Sequence, residues 1–371
     1  MDILFIGPYR QTDGWGAAAQ DYIKAISTVS NIKLTTRPIY LAAANNNEKF
    51  SDYEIINYEK NHSDKYDMVI QNVLPEHLFY DSRFGKNIGL FTLEINDLSN
   101  SNVIRNINRM DEIWVPSEIE KSSLISSGCN KPIKTISQPL SINEISPENK
   151  IVFDKLSNDT FKFYTIGENV FRKNFEALIT AYHLEFNISD NAALIIKTSG
   201  NSLKELQDFE KHIQNKLGLN KTYKPIIFVT SRLSYKQIID LHYSCDCFVM
   251  PSYGEAFCRP AAEALCLGKN PIVNKNTGMK DYINNDNGFL VNSHKTPVML
   301  NQNPIVNNKD YYNSHQYWYQ INMYDLMTSM RKAYDMYHKD KKTWQKKSEA
   351  GIASKNRFTY ESIGKLCIQD I

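Results

Sequence analysis

Short apolar runs of four to eight residues recur along the chain, separated by polar or glycine-bearing turns and by stretches with helical spacing. The first run, DILFIGPY from Asp2, leads through the loop RQTDGWG into AAAQDYIKAI, where Ala18, Tyr22, Ala25 and Ile26 fall at helical intervals. DMVIQNV, NIGLFTL and EIWVPS follow. From Phe161 the same plan starts again: FKFYTIGEN, the turn FRKN, the helical FEALITAYHL, then AALIIKT, IIFVT, CFVMPS and PIVN. Runs this short and this continuously apolar are expected of strands covered on both faces in a parallel sheet. Their alternation with helical segments predicts an α/β protein with two doubly wound, Rossmann-like halves. The expected domains are residues 1–150 and 151–355, followed by a last segment at 356–371. The polar stretch SINEISPENKIVFDKLSND, residues 141–159, is the expected linker.

Composition narrows the class without naming a partner. A chain of 371 residues suits two domains, and 42% hydrophobic with 23% charged residues fits a soluble globular protein. Lysine and arginine (43) barely exceed aspartate and glutamate (41), so overall charge argues for neither a nucleic-acid nor a membrane partner. The segment RKAYDMYHKDKKTWQKK is basic and amphipathic; it reads as a docked helix with a solvated face or as a membrane-surface element. The six cysteines show no CxxC pair and read as reduced, mostly buried thiols, with Cys245 and Cys247 packed in a strand. No basic leader precedes the first apolar run, and no run approaches the ~20 apolar residues of a membrane span. A cytoplasmic protein is expected.

In open α/β sheets, ligands gather beyond the carboxyl ends of the strands. The segment FVMPSYGEAFCRPAAEALCLG, residues 248–268, puts a strand end, a turn with Glu255 and a helix start at Arg259-Pro260 in that place. A helix N-terminus there suits a diphosphate. Glu255 and Glu263 stand at E-x7-E spacing, and carboxylates accept strong hydrogen bonds from sugar hydroxyls. The alternative is a capping glutamate followed by a surface glutamate. Because Glu263 lies among Ala261, Ala262, Ala264 and Leu265, its charge requires a partner, which ligand hydroxyls would supply.

EAFCRPAAEAL, followed by LGKNPIVNKNTGMKDYI and NGFLV, resembles the C-terminal half of the large retaining glycosyltransferase family usually numbered four, also called glycosyl transferases group one. YTIGENVFRKNFEALITAY and MDEIWVPSEIEKSSLISSG extend the resemblance to both halves. It implies the GT-B fold, two Rossmann-like domains with parallel sheets facing across a cleft. The N-terminal domain would take the acceptor, the C-terminal domain the nucleotide-sugar donor, and the last helix would cross back to the first domain.

Carried over by position, the resemblance implies that Arg172 and Lys173 hold the donor diphosphate. Glu255 would face the transferred sugar and oppose positive charge at its anomeric carbon. Glu263 would bind the ribose hydroxyls, and the Phe257–Cys258 backbone would line the sugar and phosphate site. Gly14, Trp15 and Gly16 would form a loop reaching the ligand, or simply a tight turn. The sequence departs from the family pattern at three places: Glu168 follows Gly167 where an arginine is common, Glu94 stands where a histidine is common, and Cys258 replaces a glycine. Glu94 is thereby a pocket candidate for a sugar hydroxyl or an acceptor. The implied reaction is retaining sugar transfer from a nucleotide diphosphate sugar to an acceptor hydroxyl, with no cofactor and no metal ion. The acceptor class (glycan, lipid, protein or small molecule) stays open. A nucleotide-sugar epimerase on this fold and a non-catalytic sugar-nucleotide or glycan-binding protein are the alternatives.

Overall fold

The structure is a computed structural model that describes residues 1–41, 50–99, 101–142, 151–154, 156–298 and 316–369. The expected linker at 141–159 therefore falls partly outside the described residues. Contacts divide the chain into two compact units. The first comprises Met1–Asn143, Ile305–Tyr317 and Asn356–Ile371; the second comprises Glu144–Pro304 and Trp318–Lys355.

The first unit has six parallel strands: β1 (Asp2–Gly7), β2 (Lys33–Pro38), β3 (Met68–Asn72), β4 (Lys86–Leu90), β5 (Glu112–Val115) and β6 (Ile133–Thr135). Their order across the sheet is β2-β1-β3-β4-β5-β6, so chain direction across the sheet switches between β1 and β3. Its helices are α1 (Gly14–Ser27), α2 (Tyr53–Glu59), α3 (Val103–Ile107) and α4 (Glu118–Ser126). Central strands such as β3 are buried at every residue, which explains their unbroken apolar runs.

In the second unit the strands are β7 (Phe161–Ile166), β8 (Ala192–Lys197), β9 (Ile226–Val229), β10 (Cys247–Met250), β11 (Ile272–Asn274) and β12 (Phe289–Val291), with a small pair β13 (Ser293–Pro297) and β14 (Tyr317–Ile321). The order β12-β11-β10-β7-β8-β9, parallel throughout, is that of a dinucleotide-binding Rossmann sheet, with its switch point between β7 and β10. Around it stand α5 (Phe175–Glu185), α6 (Leu203–Leu217), α7 (Tyr235–Ser244), α8 (Arg259–Cys266), α9 (Met323–Lys339) and α10 (Lys341–Ala353). One sheet face, with Phe161, Phe163, Leu194 and Ile196, packs on apolar residues of α5 and α9. The alternate residues Tyr164 and Phe248 point to the other face, where Tyr164 meets His242 of α7.

The last helix, α11 (Tyr360–Ile368), belongs to the first unit and lies on α1. The approach is close enough that a methyl on Gly364 would sit 2.0 Å from the Ala25 carbonyl, so only glycine fits there. Tyr360 donates to Asp21 at 2.6 Å across the same contact. The basic segment at 331–347 forms the end of α9 and most of α10, with Tyr334, Tyr337 and Trp344 turned onto Phe161. All six cysteines are free; five are buried and Cys129 is half-buried. No described helix is long and apolar enough to cross a membrane.

Candidate functional site

Two turns meet at the switch point of the second sheet. After β7 the chain makes a short 3-10 turn, Phe171–Lys173, and Asn174 then takes the left-handed conformation (φ 56°) and caps α5 by accepting from the Ala177 amide. After β10 it passes Pro251 and Ser252 into the turn that carries Glu255. The two turns are laced together: the Tyr253 amide donates to the Arg172 carbonyl at 2.8 Å, and the Asn174 side chain donates to the Pro251 carbonyl at 3.1 Å. Phe171 and Tyr253 stack face to face at 5.1 Å. Bonds to the backbone and a ring stack hold the turns in one arrangement, which a site built on loops otherwise lacks.

This lacing brings three of the expected residues into contact. Lys173 Nζ lies 2.6 Å from Glu255 Oε1, and Arg172 Nη1 lies 3.0 Å from the same oxygen. Arg172 also donates to the Gly254 carbonyl at 2.6 Å. Glu255 is only 6% exposed. Burial by itself would push its carboxyl up, but the charges of Lys173 and Arg172 reverse that and hold it below the usual carboxylate value. The cluster is thus an ionised carboxylate under two cations. The Lys173 stem runs 3.8 Å from where a Cβ on Gly167, the residue after β7, would stand, an ordinary packing distance.

Glu263 occupies a second pocket of charge. It lies on α8, 2% exposed, with Oε1 accepting from Arg259 Nε at 2.9 Å and Oε2 facing His242 Nε2 at 3.4 Å. Burial raises its carboxyl and the Arg259 charge, with His242, brings it below the usual value. The partner that its apolar neighbours demand is therefore supplied from within the chain. Arg259 is one helical turn away; His242 is on another helix and carried no signal beyond its helical position.

Cys258 is the N-cap of α8, in the left-handed region at φ 64°. A glycine adopts that conformation without strain, so the cysteine bears a cost of roughly 1–2 kcal/mol that its burial offsets. Tyr282 donates to the carbonyls of Phe257 and Cys258, the latter at 3.1 Å, and pins this backbone. Its motif, MKDYI, was visible in the sequence while this contact was not.

Gly14, Trp15 and Gly16 open α1 in the first unit, after β1 and at that sheet's own switch point. Asp13 caps the helix through the Gly16 amide at 2.9 Å. A Cβ on Gly16 would sit 2.0 Å from the Gln11 carbonyl, so this glycine serves the turn itself. At Gly14 a Cβ would meet nothing within 4 Å. Trp15 is half-buried. Glu94 is half-buried in the loop after β4; the Leu93 amide beside it donates to Glu120 of α4 at 2.7 Å.

Residues 148–302 match the profile of the family described as Glycosyl transferases group 1. No curated protein sequence matches the chain. Among solved structures, sucrose-phosphate synthase of Thermosynechococcus elongatus is similar at TM-score 0.65 and 14% identity, covering 98% of this chain and 96% of that one. Anabaena HepE, solved with UDP and glucose, is similar at TM-score 0.64 and 16% identity, covering 98% and 97%. A Rickettsia africae glycosyltransferase is similar at TM-score 0.65 and 15% identity, covering 100% and 99%. At such identities the likeness establishes the fold. The chain has the GT-B fold, two Rossmann-like units of six parallel strands each, and the stretch that matches the Glycosyl transferases group 1 profile falls in its second unit.

Proposed function

We propose that this chain is a retaining glycosyltransferase that moves a sugar from a nucleotide diphosphate sugar to an acceptor hydroxyl without a metal ion. One observation carries the reading: at the Rossmann switch point, where such sheets bind phosphorylated ligands, Arg172 and Lys173 converge on one buried oxygen of Glu255. Two cations held in place suit a diphosphate, and the carboxylate between them suits a sugar that develops positive charge.

In this reading Arg172 and Lys173 neutralise the diphosphate as it departs, which is the work a divalent ion does elsewhere. The bond between the anomeric carbon and the diphosphate oxygen breaks while the acceptor oxygen bonds to that carbon on the same face. The acceptor proton passes to a phosphate oxygen, so no protein nucleophile is required. Glu255, kept ionised by its neighbours, opposes the charge at the anomeric carbon. Glu263 takes the ribose hydroxyls, and the Phe257–Cys258 backbone lines the sugar and phosphate. The first unit is assigned to the acceptor side, while Gly14, Trp15, Gly16 and Glu94 keep the donor-binding role that the resemblance implies. Catalysis of this kind is mostly positioning and electrostatic stabilisation.

The test begins with thermal shifts against UDP, GDP and their sugars; the UDP-bound HepE makes UDP compounds the first probes. The stabilising donor is then incubated with acceptor candidates and the anomeric protons followed by NMR. Transfer with retained configuration supports the proposal. An inverted product removes the mechanism, an isomerised donor without acceptor points to an epimerase, and tight binding without transfer or hydrolysis points to a non-catalytic module.

A further inference from the structure

The charge pocket of Glu263 holds a feature that sugar transfer leaves unexplained. His242 is wholly buried on α7 and Tyr164 is wholly buried on β7, yet both present polar atoms to the same interior space. Tyr164 Oη and His242 Nδ1 are 2.6 Å apart. The other ring nitrogen, Nε2, makes no complete hydrogen bond among the described residues; the acceptor facing it is Glu263 Oε2, 3.4 Å away. Leaving a buried donor unmatched costs free energy, and such atoms call for an explanation.

Burial pushes the Tyr164 phenol well above its ordinary value, so it keeps its proton. With a neutral ring, a phenol that donates to Nδ1 leaves the imidazole proton on Nε2, where an anionic Glu263 favours it. Arg259 holds the other carboxylate oxygen at 2.9 Å. The carboxylate is thereby held at one oxygen by Arg259 of its own helix and faced at the other by His242 of α7.

Resting on the ribose role given to Glu263 above, we propose that Tyr164 and His242 are positioning residues: Tyr164 sets the tautomer of His242, and His242 aims Glu263 at the ribose hydroxyls of a nucleoside diphosphate. Neither touches the ligand. Both act through one carboxylate, and so they affect recognition of the ribose more than the diphosphate clamp or the transfer step.

The experiment measures calorimetric affinities of the full chain for UDP and GDP, each against its 2′,3′-dideoxy counterpart. Wild type should prefer the ribonucleotide by about tenfold or more, the size of a charge-assisted hydrogen bond. Glu263→Gln should bring that preference near unity. His242→Asn keeps a partner for Tyr164 but cannot reach Glu263, and it should cut the preference to about threefold or less with dideoxy affinity unchanged. His242→Gln, whose amide nitrogen extends toward the Nε2 position, should restore most of it. Tyr164→Phe, which empties no volume beyond a hydroxyl, should give an intermediate loss and guards against misfolding of the histidine variants. If Glu263→Gln abolishes the preference and His242→Asn retains it, the relay is wrong while the ribose site stands. Equal weakening of both nucleotides in His242→Asn, without rescue by His242→Gln, also overturns the relay, because that is the mark of a structural role. If Glu263→Gln keeps the preference, or neither nucleotide binds wild type, the ribose assignment falls and the inference falls with it.

Discussion

Replacing Lys173 by methionine removes one of two cations from a single carboxylate oxygen while keeping the stem that runs past Gly167. With Nζ 2.6 Å from Glu255 Oε1, the gross attraction at an effective dielectric near 20 is about 6 kcal/mol. Most of that is cancelled by the cost of taking an ammonium out of water, and Arg172 at 3.0 Å still neutralises Glu255. The net loss should be about 2 kcal/mol, less than the ~3–5 kcal/mol of a buried pair broken outright. For a unit of this size that lowers the melting temperature by about 4–8 °C. The loss also has a pH signature. A carboxyl whose value is depressed in the folded state contributes its stability in full above its unfolded value, about pH 4.3, and loses it as pH falls through the folded value. The melting difference between wild type and Lys173→Met should thus be complete at neutral pH and shrink in acid below about pH 4. If Lys173 serves the departing diphosphate as proposed, loss of this one preorganised charge should cost about 10²–10³-fold in turnover. The assays are calorimetric melts across pH and donor turnover at saturating acceptor. A variant that melts with wild type at neutral pH and turns over within threefold of it would refute the idea that this contact is a working clamp.

Three further outcomes follow from other parts of the molecule. Glu120 is buried, with Oε2 unmatched among the described residues and its carboxyl raised well above the usual value by burial. Stability held by such a group is full below the unfolded carboxylate value and lost as pH rises through the folded one, so Glu120→Gln, which can still accept from Leu93, should stabilise by about 1–2 kcal/mol at pH 8. A lower melting temperature for that variant at pH 8 would contradict this. Gly16→Ala should destabilise by more than about 2 kcal/mol because its methyl meets the Gln11 carbonyl, whereas Gly14→Ala should melt like wild type; equal melts for both would show that the turn is not as tight as described. Transfer activity should persist in excess chelator, and abolition reversed by magnesium or manganese would remove the metal-independent mechanism.

Much of this protein was legible from local pattern. The short apolar runs mark strands because a strand covered on both faces has no polar side to display; β1, β3, β5, β7, β8 and β10 fall within them and β4 begins one residue before its run. The strand β2 lay hidden, since its threonines and arginine break the run; it sits at the sheet edge beside β1, where one flank has no neighbour among the described residues. The E-x7-E spacing and the FRKN turn were equally visible, because each lies within one stretch of chain.

What the sequence alone could not decide is which charges meet. Arg172 and Lys173 reach Glu255 only because β7 and β10 are neighbours in the sheet though β8 and β9 come between them in the chain. The same crossover puts His242 between Tyr164 and Glu263, and gives a buried carboxylate the partners that its own helix only half supplies. Periodicity reports which side of an element is buried, and that is a local property. The identity of the group across the interior depends on strand order, which is set by how whole elements pack, and only the tertiary structure holds it.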